Sequence, residues 1–364
     1  MALAIAPYST DHAPAVRAFN ERLALAGVTY RFPEDRPDSD PAVRRAFVAV
    51  EQGDHVRGGY LVREQEFLVN GRMATMGFLQ LPLSEGLIDR RYSALGVQLI
   101  MHARKQCPLL FGLGIGGYDE TFARLVSALG WQLRSVPFLF RVVRPFRVAR
   151  HLKAIHGTLA RRLACEAGAW SGAASIAARL HHLRLTKPLL LPSHRLSMVS
   201  SLRDVGDELW DRYRQNYRLI ACRDGAALDR LYPAGADRFL RWTFRGPQGL
   251  AGWVVALDTP MAGHKYFGDL RVATIVDCFG NPADAPAMMS SVSIALAARG
   301  VDLIVTNQTS SIWRAALWTS GFTNYTSNYL FAAAPGLVSL LGAMPSDLGE
   351  FHLNRGDGDG PINL

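Results

Sequence analysis

Three glycines follow an apolar run in the stretch LLFGLGIGGYDET. Gly112, Gly114 and Gly117 have the spacing G-x-G-x-x-G, and a polar helix start comes directly after them. In a dinucleotide-binding site such glycines let the backbone approach a pyrophosphate at a helix N-terminus. That site also needs an acidic residue about twenty positions later, whereas the stretch LRSVPFLFRV contains none. The alternative is a strand-to-helix connection that is merely rich in glycine.

An internal repeat favours this alternative. A shift of 191 residues pairs Gly130 with Gly321, and it pairs the Phe-Leu-Phe at 138–140 with the Tyr-Leu-Phe at 329–331. Upstream, both copies contain a helix, a buried strand and a second helix. In the second copy the strand-to-helix connection reads TNQTSSIW, without glycine. Because the connection forms without glycines, we predict no dinucleotide site in the first copy.

The two copies resemble a tandem GCN5-related N-acetyltransferase (GNAT), in which each half ends as strand, helix, Gly-aromatic and final strand. The stretch RFLRWTFRGP is also similar to a W-R-Y-x-x-P segment of acyltransferase-like proteins from bacterial surface-polysaccharide clusters. In this family a meander of antiparallel strands precedes the phosphate-binding helix. HVRGGYLVREQEFLV and RMATMGFLQLPL fit this meander in the first half, and GLAGWVVALD and LRVATIVDCFG fit it in the second.

The resemblance implies an α/β fold with mixed sheets and two GNAT-like domains in tandem. We expect an N-terminal, acyl-CoA-binding domain at 1–145 and a basic helical connector at 146–200. A C-terminal domain follows at 201–345, and a flexible tail at 346–364. The helix at 91–106 takes the role of the phosphate-binding helix.

The resemblance places the pyrophosphate of an acyl thioester at the start of that helix. Backbone N–H groups of a first helical turn lack internal partners, and the helix dipole makes this end positive. The family pattern is Q/R-x-x-G-x-G/A, which the sequence fits except that alanine replaces the first glycine. The implied cofactor is acetyl-CoA or another acyl-CoA, or the acyl-phosphopantetheine of a carrier protein. The implied cofactor-binding residues are Arg90, Arg91, Tyr92, Ser93, Ala94, Leu95 and Gly96.

The matching helix start in the second half contains Asp284. Aspartate caps a helix well, but it competes with a phosphate for the same N–H groups and repels it. We therefore expect only the first half to bind the donor. The second half is then a degenerate copy that contributes acceptor binding or structure, and the resemblance points to Arg241 and Trp242 as acceptor-binding residues.

Acyl transfer to an amine needs the amine deprotonated and the carbonyl polarised. In GNAT enzymes a carboxylate near the central strand usually handles the proton. The candidates are Glu85 and Asp89, just after the first-half strand, and Asp277, near the end of the second-half strand. Apolar neighbours around Asp277 predict a raised pKa for its carboxyl group.

Many relatives place a tyrosine four residues before the closing glycine, as the general acid. Here these positions hold Val126 and Leu317. Tyr92 and Tyr118 lie nearby in sequence as weak substitutes. Either the thiolate leaves without an acid, or the site is not catalytic. No GxSxG, HExxH or GxxxxGK[ST] motif offers a competing chemistry.

Positive charge is concentrated in the middle of the chain. The net charge is +9, and residues 145–195 hold nine Lys or Arg against one acid, Glu166. Three interpretations remain open: a connector with solvated charges, a helix on an anionic membrane surface, or a docking site for an acidic acyl carrier protein. Nucleic acid is not expected, because no recognition motif is present.

Composition sets the remaining limits. The four cysteines are widely separated and form no CxxC pair, so we expect neither a disulfide framework nor a metal site. The N-terminus lacks the features of a signal peptide, and no apolar run is long enough to span a membrane. The expected location is the cytoplasm, and the alternative is a peripheral position on a membrane.

The resemblance implies an N-acyltransferase. It moves an acyl group from acyl-CoA or an acyl carrier protein to the amine of a small-molecule, sugar or lipid precursor. The alternative is a catalytically inactive tandem GNAT-like protein with a binding or scaffolding role.

Overall fold

The computed structural model describes residues 3–34, 44–52, 55–152, 192–342 and 344–358. The chain divides into two compact units. Unit 1 comprises Met1–Arg134 and Leu330–Pro345, and unit 2 comprises Ser135–Tyr329 and Ser346–Leu364. Most of the predicted basic connector, from 153 to 191, lies outside the described residues. Binding of a carrier protein or a membrane surface by this segment therefore stays a prediction.

The described residues form nine α-helices and sixteen strands. The helices are α1 (Ala13–Leu25), α2 (Leu95–Gln106), α3 (Thr121–Ala128), α4 (Pro145–His151), α5 (Arg203–Tyr213), α6 (Gly225–Leu231), α7 (Ala285–Ala298), α8 (Ser311–Thr319) and α9 (Pro335–Leu341). The strands are β1 (Leu3–Pro7), β2 (Arg44–Glu51), β3 (His55–Val69), β4 (Arg72–Ser84), β5 (Leu110–Leu113), β6 (Gln132–Ser135), β7 (Phe138–Val142), β8 (Arg195–Met198), β9 (Leu219–Ala221), β10 (Leu240–Gly246), β11 (Gly249–Pro260), β12 (Arg271–Gly280), β13 (Leu303–Asn307), β14 (Thr323–Tyr325), β15 (Leu330–Ala333) and β16 (Phe351–His352).

Unit 1 is built on a mixed sheet with the strand order β1-β2-β3-β4-β5-β15-β6. Strands β1 to β4 form an antiparallel meander, whereas β5 pairs with β4 in parallel. Apolar side chains of α2 and α3 pack with one face of this sheet, and those of α1 belong to a separate core cluster. The predicted meander and phosphate-binding helix are confirmed as elements, although α2 begins at Leu95 rather than at 91.

Unit 2 repeats this plan. Its sheet has the order β14-β7-β13-β12-β11-β10-β8, with antiparallel pairs throughout except for the parallel pair β12–β13. Helices α7 and α8, which flank β13 in sequence, pack against each other. The strands and helix predicted for the second half are thus present, and the fold class is confirmed as α/β with two similar domains.

The two copies exchange their closing strands. Strand β7 ends the first copy, yet it pairs with β13 in the sheet of unit 2. Strand β15 ends the second copy, yet it pairs with β5 in the sheet of unit 1. Gly130 and Gly321 occupy equivalent places before these strands, and both have a positive φ (81° and 90°). Glycine suits this left-handed turn because it has no Cβ, which explains why the repeat retains it.

The end of the chain differs from the expected flexible tail. Strand β16 pairs in parallel with β9 inside unit 2, and the following turn Arg355–Asp357 ends on a fully buried carboxylate. Residues 346–358 are therefore part of the folded core, while 359–364 lie outside the described residues. Within the described ranges no helix combines the length and apolar character that crossing a bilayer requires.

Because of His352, we expect the unfolding free energy of unit 2 to fall at acidic pH. The imidazole is fully buried near the rings of Tyr217 and Trp313, and burial lowers its pKa to about 4. In the unfolded chain the imidazole takes up its proton near pH 6.5. The contribution of the neutral imidazole to the stability of unit 2 is therefore present above that pH and is lost as the pH falls towards 4. We expect about 2 kcal/mol of unfolding free energy to be lost between pH 7 and pH 5.

His352→Phe should remove this dependence, because phenylalanine has no proton to gain. Urea unfolding of both proteins at pH 7 and pH 5 measures it. Equal pH dependence in the two proteins would contradict the assignment.

Candidate functional site

The central strand of each unit carries a bulge where it separates from its parallel neighbour. In β4, Leu81 and Pro82 lie opposite a single residue of β3, and Leu81 has a left-handed φ of 44°. Strands β4 and β5 pair only at Gly77 and Phe78, after which β4 continues for six residues. A bulge of this kind bends a strand and leaves a residue outside the regular pairing, so β4 turns away from β5 at this point.

A tight turn connects β4 to α2 and holds the predicted arginines. A Cβ at Gly86 would collide with the carbonyl oxygen of Tyr92, so only glycine allows the chain to fold back here. Asp89 caps the 3-10 turn Arg90–Tyr92 and pairs with Arg91 at 2.6 Å. That pairing lowers the pKa of the Asp89 carboxyl group. Arg90 is exposed and forms no ion pair with any described residue.

The first turn of α2 has the features expected of a phosphate site. Ala94 and Ser93 are exposed, and no side chain caps the helix. A Cβ at Gly96 would meet only Leu125 of α3, at 3.6 Å. Packing therefore does not require glycine at this position, and its small size leaves the first-turn backbone accessible.

A cluster of ion pairs fixes the base of this turn. Glu85 accepts hydrogen bonds from Arg22 (2.8 Å) and Arg57 (3.0 Å). Arg57 also binds Glu51, which accepts the hydroxyl hydrogen of Tyr92 at 2.8 Å. These two partners, Tyr92 first, lower the pKa of the Glu51 carboxyl group. Both oxygens of Glu85 are engaged by arginine side chains, so its geometry suits positioning of the turn, and its predicted catalytic role stays a prediction.

A cavity of about 650 Å³ lies beside α3 in the same unit. Its lining includes Tyr118, Arg124 and Trp131. The Trp131 side chain is 4% exposed, and its indole N–H has no hydrogen-bond partner among the described residues. A buried donor without a partner is costly, which makes the cavity a candidate ligand site. Tyr118 therefore belongs to a cavity wall, although its predicted role as an acid stays a prediction.

In unit 2 side chains bridge the equivalent space between β12 and β13. Thr306 Oγ1 donates to the carbonyl oxygen of Ile275 at 2.9 Å, and Gln308 Nε2 lies 3.8 Å from Cys278 Sγ. Asp284 stands at the start of α7, as the sequence indicates. The two helix starts thus differ in charge: arginine precedes α2, and a carboxylate precedes α7.

Asp277 lies at the centre of a buried network. Its carboxylate pairs with Arg223 at 2.9 Å and accepts hydrogen bonds from Tyr232 (2.8 Å) and Asn354 (2.5 Å). Arg223 also pairs with Asp357 at 2.7 Å, and all these side chains are within 1% of complete burial. Both oxygens of this buried carboxylate are engaged by protein groups, so the network suits a structural role.

The network contains two carboxyl groups and a single guanidinium. Burial raises the pKa of the Asp357 carboxyl group, which Arg223 counteracts. Burial and the neighbouring Asp277 raise the pKa of the Tyr232 hydroxyl. One guanidinium thus holds two carboxylates inside the protein.

The two predicted acceptor residues also lie inside unit 2. Arg241 is 4% exposed and donates to the backbone carbonyl oxygens of Tyr232, Phe239, Pro233 and Ala236. Trp242 is 3% exposed and lies in β10 opposite a residue of β11. Both side chains are almost completely buried, and Arg241 spends its donors on the backbone of its own unit, so their geometry assigns them to the fold.

The predicted residues therefore separate into two sets. The structure brings Glu85 and Asp89 together with the turn and helix start that contain Arg90 to Gly96. It places Asp277, Arg241 and Trp242 in the interior of unit 2. A half-buried arginine in the turn after β16, Arg355, was not predicted as functional, because the sequence around it reads as a tail. Among the described residues no cluster of three or more His, Cys, Asp or Glu is arranged to hold a metal ion.

No protein-family description matches this sequence, and no curated protein matches it either. Two solved structures share the architecture. One is a conserved protein of unknown function from Enterococcus faecalis V583, described as a probable N-acyltransferase, with 8% identity, 95% of this chain and 76% of that chain covered, and a TM-score of 0.53. The other is a GCN5-related N-acetyltransferase from Anabaena variabilis ATCC 29413, with 12% identity, 92% and 73% coverage, and a TM-score of 0.53. At this identity the likeness shows the fold: the chain is built from two domains with the architecture of the GCN5-related N-acetyltransferases.

Proposed function

We propose that the protein is an N-acyltransferase that takes its acyl group from acyl-CoA or from an acylated carrier protein. The observation that carries the proposal is the start of α2 in unit 1. There a bulged central strand diverges from its parallel neighbour and leads to an uncapped helix preceded by two arginines. The fold shared with N-acyltransferases supports this function.

In this proposal unit 1 holds the donor. The first-turn N–H groups of α2 bind the pyrophosphate, and Arg90 adds a free positive charge. The divergence of β4 from β5 near the bulge at Leu81 provides the place for the pantetheine arm. The cavity beside Trp131 adds an aromatic wall and an arginine from the neighbouring helix. The cofactor, when bound, supplies the activated carbonyl.

Unit 2 does not bind donor in this proposal, since side chains bridge β12 and β13 just beyond their parallel pairing and a carboxylate stands at the start of α7. Its role is to bind the acceptor, an amine on a small-molecule, sugar or lipid precursor. Bringing the amine close to the thioester accounts for much of the rate that acyl transfer requires.

A second candidate function is binding without catalysis. The ion pairs of the three carboxylates predicted to be catalytic favour this function, because arginine engages Glu85, Asp89 and Asp277. Both functions predict donor binding, but only the first predicts release of the CoA thiol.

Calorimetric titration with CoA tests the donor site. Ala94→Asp adds a negative charge at the first turn of α2, so we expect the dissociation constant for CoA to rise about tenfold or more. The same charge interacts favourably with the helix dipole, so the unfolding free energy should stay equal or rise by about 0.3–1 kcal/mol. A loss of binding therefore does not reflect a loss of folding.

Ala283→Asp is the matched control, since Ala283 is exposed just before α7 in unit 2. It should leave CoA affinity unchanged. Unaltered affinity in Ala94→Asp would contradict the donor site. If CoA binds but acetyl-CoA releases no thiol with a panel of amines, the non-catalytic function is the correct one.

A further inference from the structure

Arg355 is a half-buried arginine that no carboxylate neutralises among the described residues. Its Nε donates to Asn307 Oδ1 at 3.0 Å, and its guanidinium carbon lies 5.7 Å from the centre of the Tyr329 ring. Burial lowers the pKa of this guanidinium to about 10. The terminal amino groups of the guanidinium have no hydrogen-bond partner in the described part of the chain. Partial burial thus removes water from the Arg355 guanidinium, and no carboxylate among the described residues compensates for this loss.

The arginines of the buried networks in this chain differ in this respect. Arg223 pairs with two carboxylates, and Arg57 pairs with two glutamates. Arg241 is satisfied by backbone carbonyl oxygens. A desolvated charge without such partners is unfavourable, and an incoming anion would relieve this cost.

The position of Arg355 also points to a ligand. Asn307 is the last residue of β13, at the edge where the strand leads into the connection to α8. Its amide Nδ2 reaches the carbonyl oxygen of Pro137 only at 3.5 Å, at the limit for a hydrogen bond. Asn307 is 1% exposed, so it holds the guanidinium in position, and the terminal amino groups of Arg355 are the donors left unengaged by the described residues.

We propose that Arg355, held by Asn307 and flanked by the ring of Tyr329, binds a carboxylate or phosphate group of the acyl acceptor. The planar guanidinium presents two parallel N–H donors that match two oxygens of either group. That the group belongs to the acceptor rests on the proposed function. The anion site itself rests only on the geometry of unit 2.

Inorganic phosphate and acetate are the probes for the site. Each is titrated into the full-length protein at constant ionic strength, with chloride as the balancing anion, and thermal unfolding is followed. We expect at least one of the two to raise the unfolding temperature in a saturable way. In Arg355→Gln the dissociation constant of that anion should rise at least tenfold, as expected for the loss of a charged hydrogen-bonding group.

Two further variants support the interpretation of the result. Arg245→Gln removes an exposed arginine from β10 in the same unit and should leave anion binding unchanged. Asn307→Asp keeps the acceptor oxygen for Arg355 Nε but adds an internal counter-ion. It should abolish anion binding even if Arg355→Gln does not fold. If Arg355→Gln or Asn307→Asp binds the anion as the natural protein does, the site is excluded.

Competition experiments separate the possible sources of the anion. If CoA displaces the bound probe, the site belongs to the donor and the assignment to the acceptor is wrong. If the probe stays bound in the presence of CoA, and Arg355→Gln raises the KM of a carboxylated or phosphorylated amine without changing that of acyl-CoA, the assignment is supported. Failure of acyl transfer with every amine would contradict the proposed function but would leave anion binding at Arg355 measurable.

Discussion

Arg223→Met is expected to destabilise unit 2 by about 3–5 kcal/mol, because it leaves Asp277 and Asp357 buried without their cation. Methionine fills similar space, so the loss reflects charge rather than a cavity. Both carboxylates and the guanidinium are almost completely inaccessible to water. Urea unfolding at pH 7 measures the change.

The pH dependence of the variant identifies the cause. Arg223 counteracts the raised pKa of Asp357, so its removal should raise that pKa further. The folded variant then binds protons more readily than its unfolded chain, and its deficit should become smaller as the pH is lowered from 8 to 5. Arg203→Met is the control: it breaks an exposed pair with Asp229 and should cost less than about 1 kcal/mol. A deficit that is the same at both pH values would contradict the electrostatic explanation.

The elements of both domains were largely predictable from the sequence. Strand β3 coincides with the predicted stretch from His55 to Val69, β12 lies within the predicted stretch LRVATIVDCFG, and α7 begins directly after Asp284, where the second-half helix start was expected. In these elements the apolar residues recur at a regular spacing or form an uninterrupted run. Either pattern can be recognised in a short stretch of sequence. The start of α2 was less exact, because a 3-10 turn precedes it and has no distinct sequence pattern.

The exchange of β7 and β15 was not predictable in this way. The two strands have matching sequences, FLF and YLF, and each pairs antiparallel with the same kind of partner, β13 or β5. Local pattern gives equal support to pairing within a copy and to pairing across copies. The choice depends on where the chain runs between the copies, which periodicity does not encode.

The candidate site shows the same limit. Asp277 was singled out because its neighbours are apolar, and it is indeed buried. Its partners are far away in sequence, however: Arg223 lies 54 residues before it and Asn354 lies 77 residues after it. An apolar flank predicts burial of a carboxylate, but it does not reveal the cation and hydroxyl that make the burial possible.

Gly356→Ala is expected to destabilise unit 2 by about 3 kcal/mol or more, through steric conflict alone. The backbone of Gly356 does not adopt a positive φ, so alanine meets no conformational penalty there. Its Cβ, however, would overlap the hydroxyl oxygen of Tyr232 and lie 3.0 Å from Asp277 Oδ2. Gly235→Ala is the matched control, because a Cβ at Gly235 has no neighbour within 4 Å.

Tyr232→Phe should rescue much of this loss, since it removes the oxygen that the new methyl group would meet. Alone, Tyr232→Phe costs about 1–3 kcal/mol, because Asp277 loses a hydrogen-bond donor. In the double variant we expect the added alanine to cost less than about 1 kcal/mol more, which corresponds to a coupling energy of about 2 kcal/mol. Additive costs in urea unfolding would show that the overlap with Tyr232 is not the cause. Coupling would establish that the turn after β16 closes directly on the Asp277 network, and hence that the last described residues are required for the stability of unit 2.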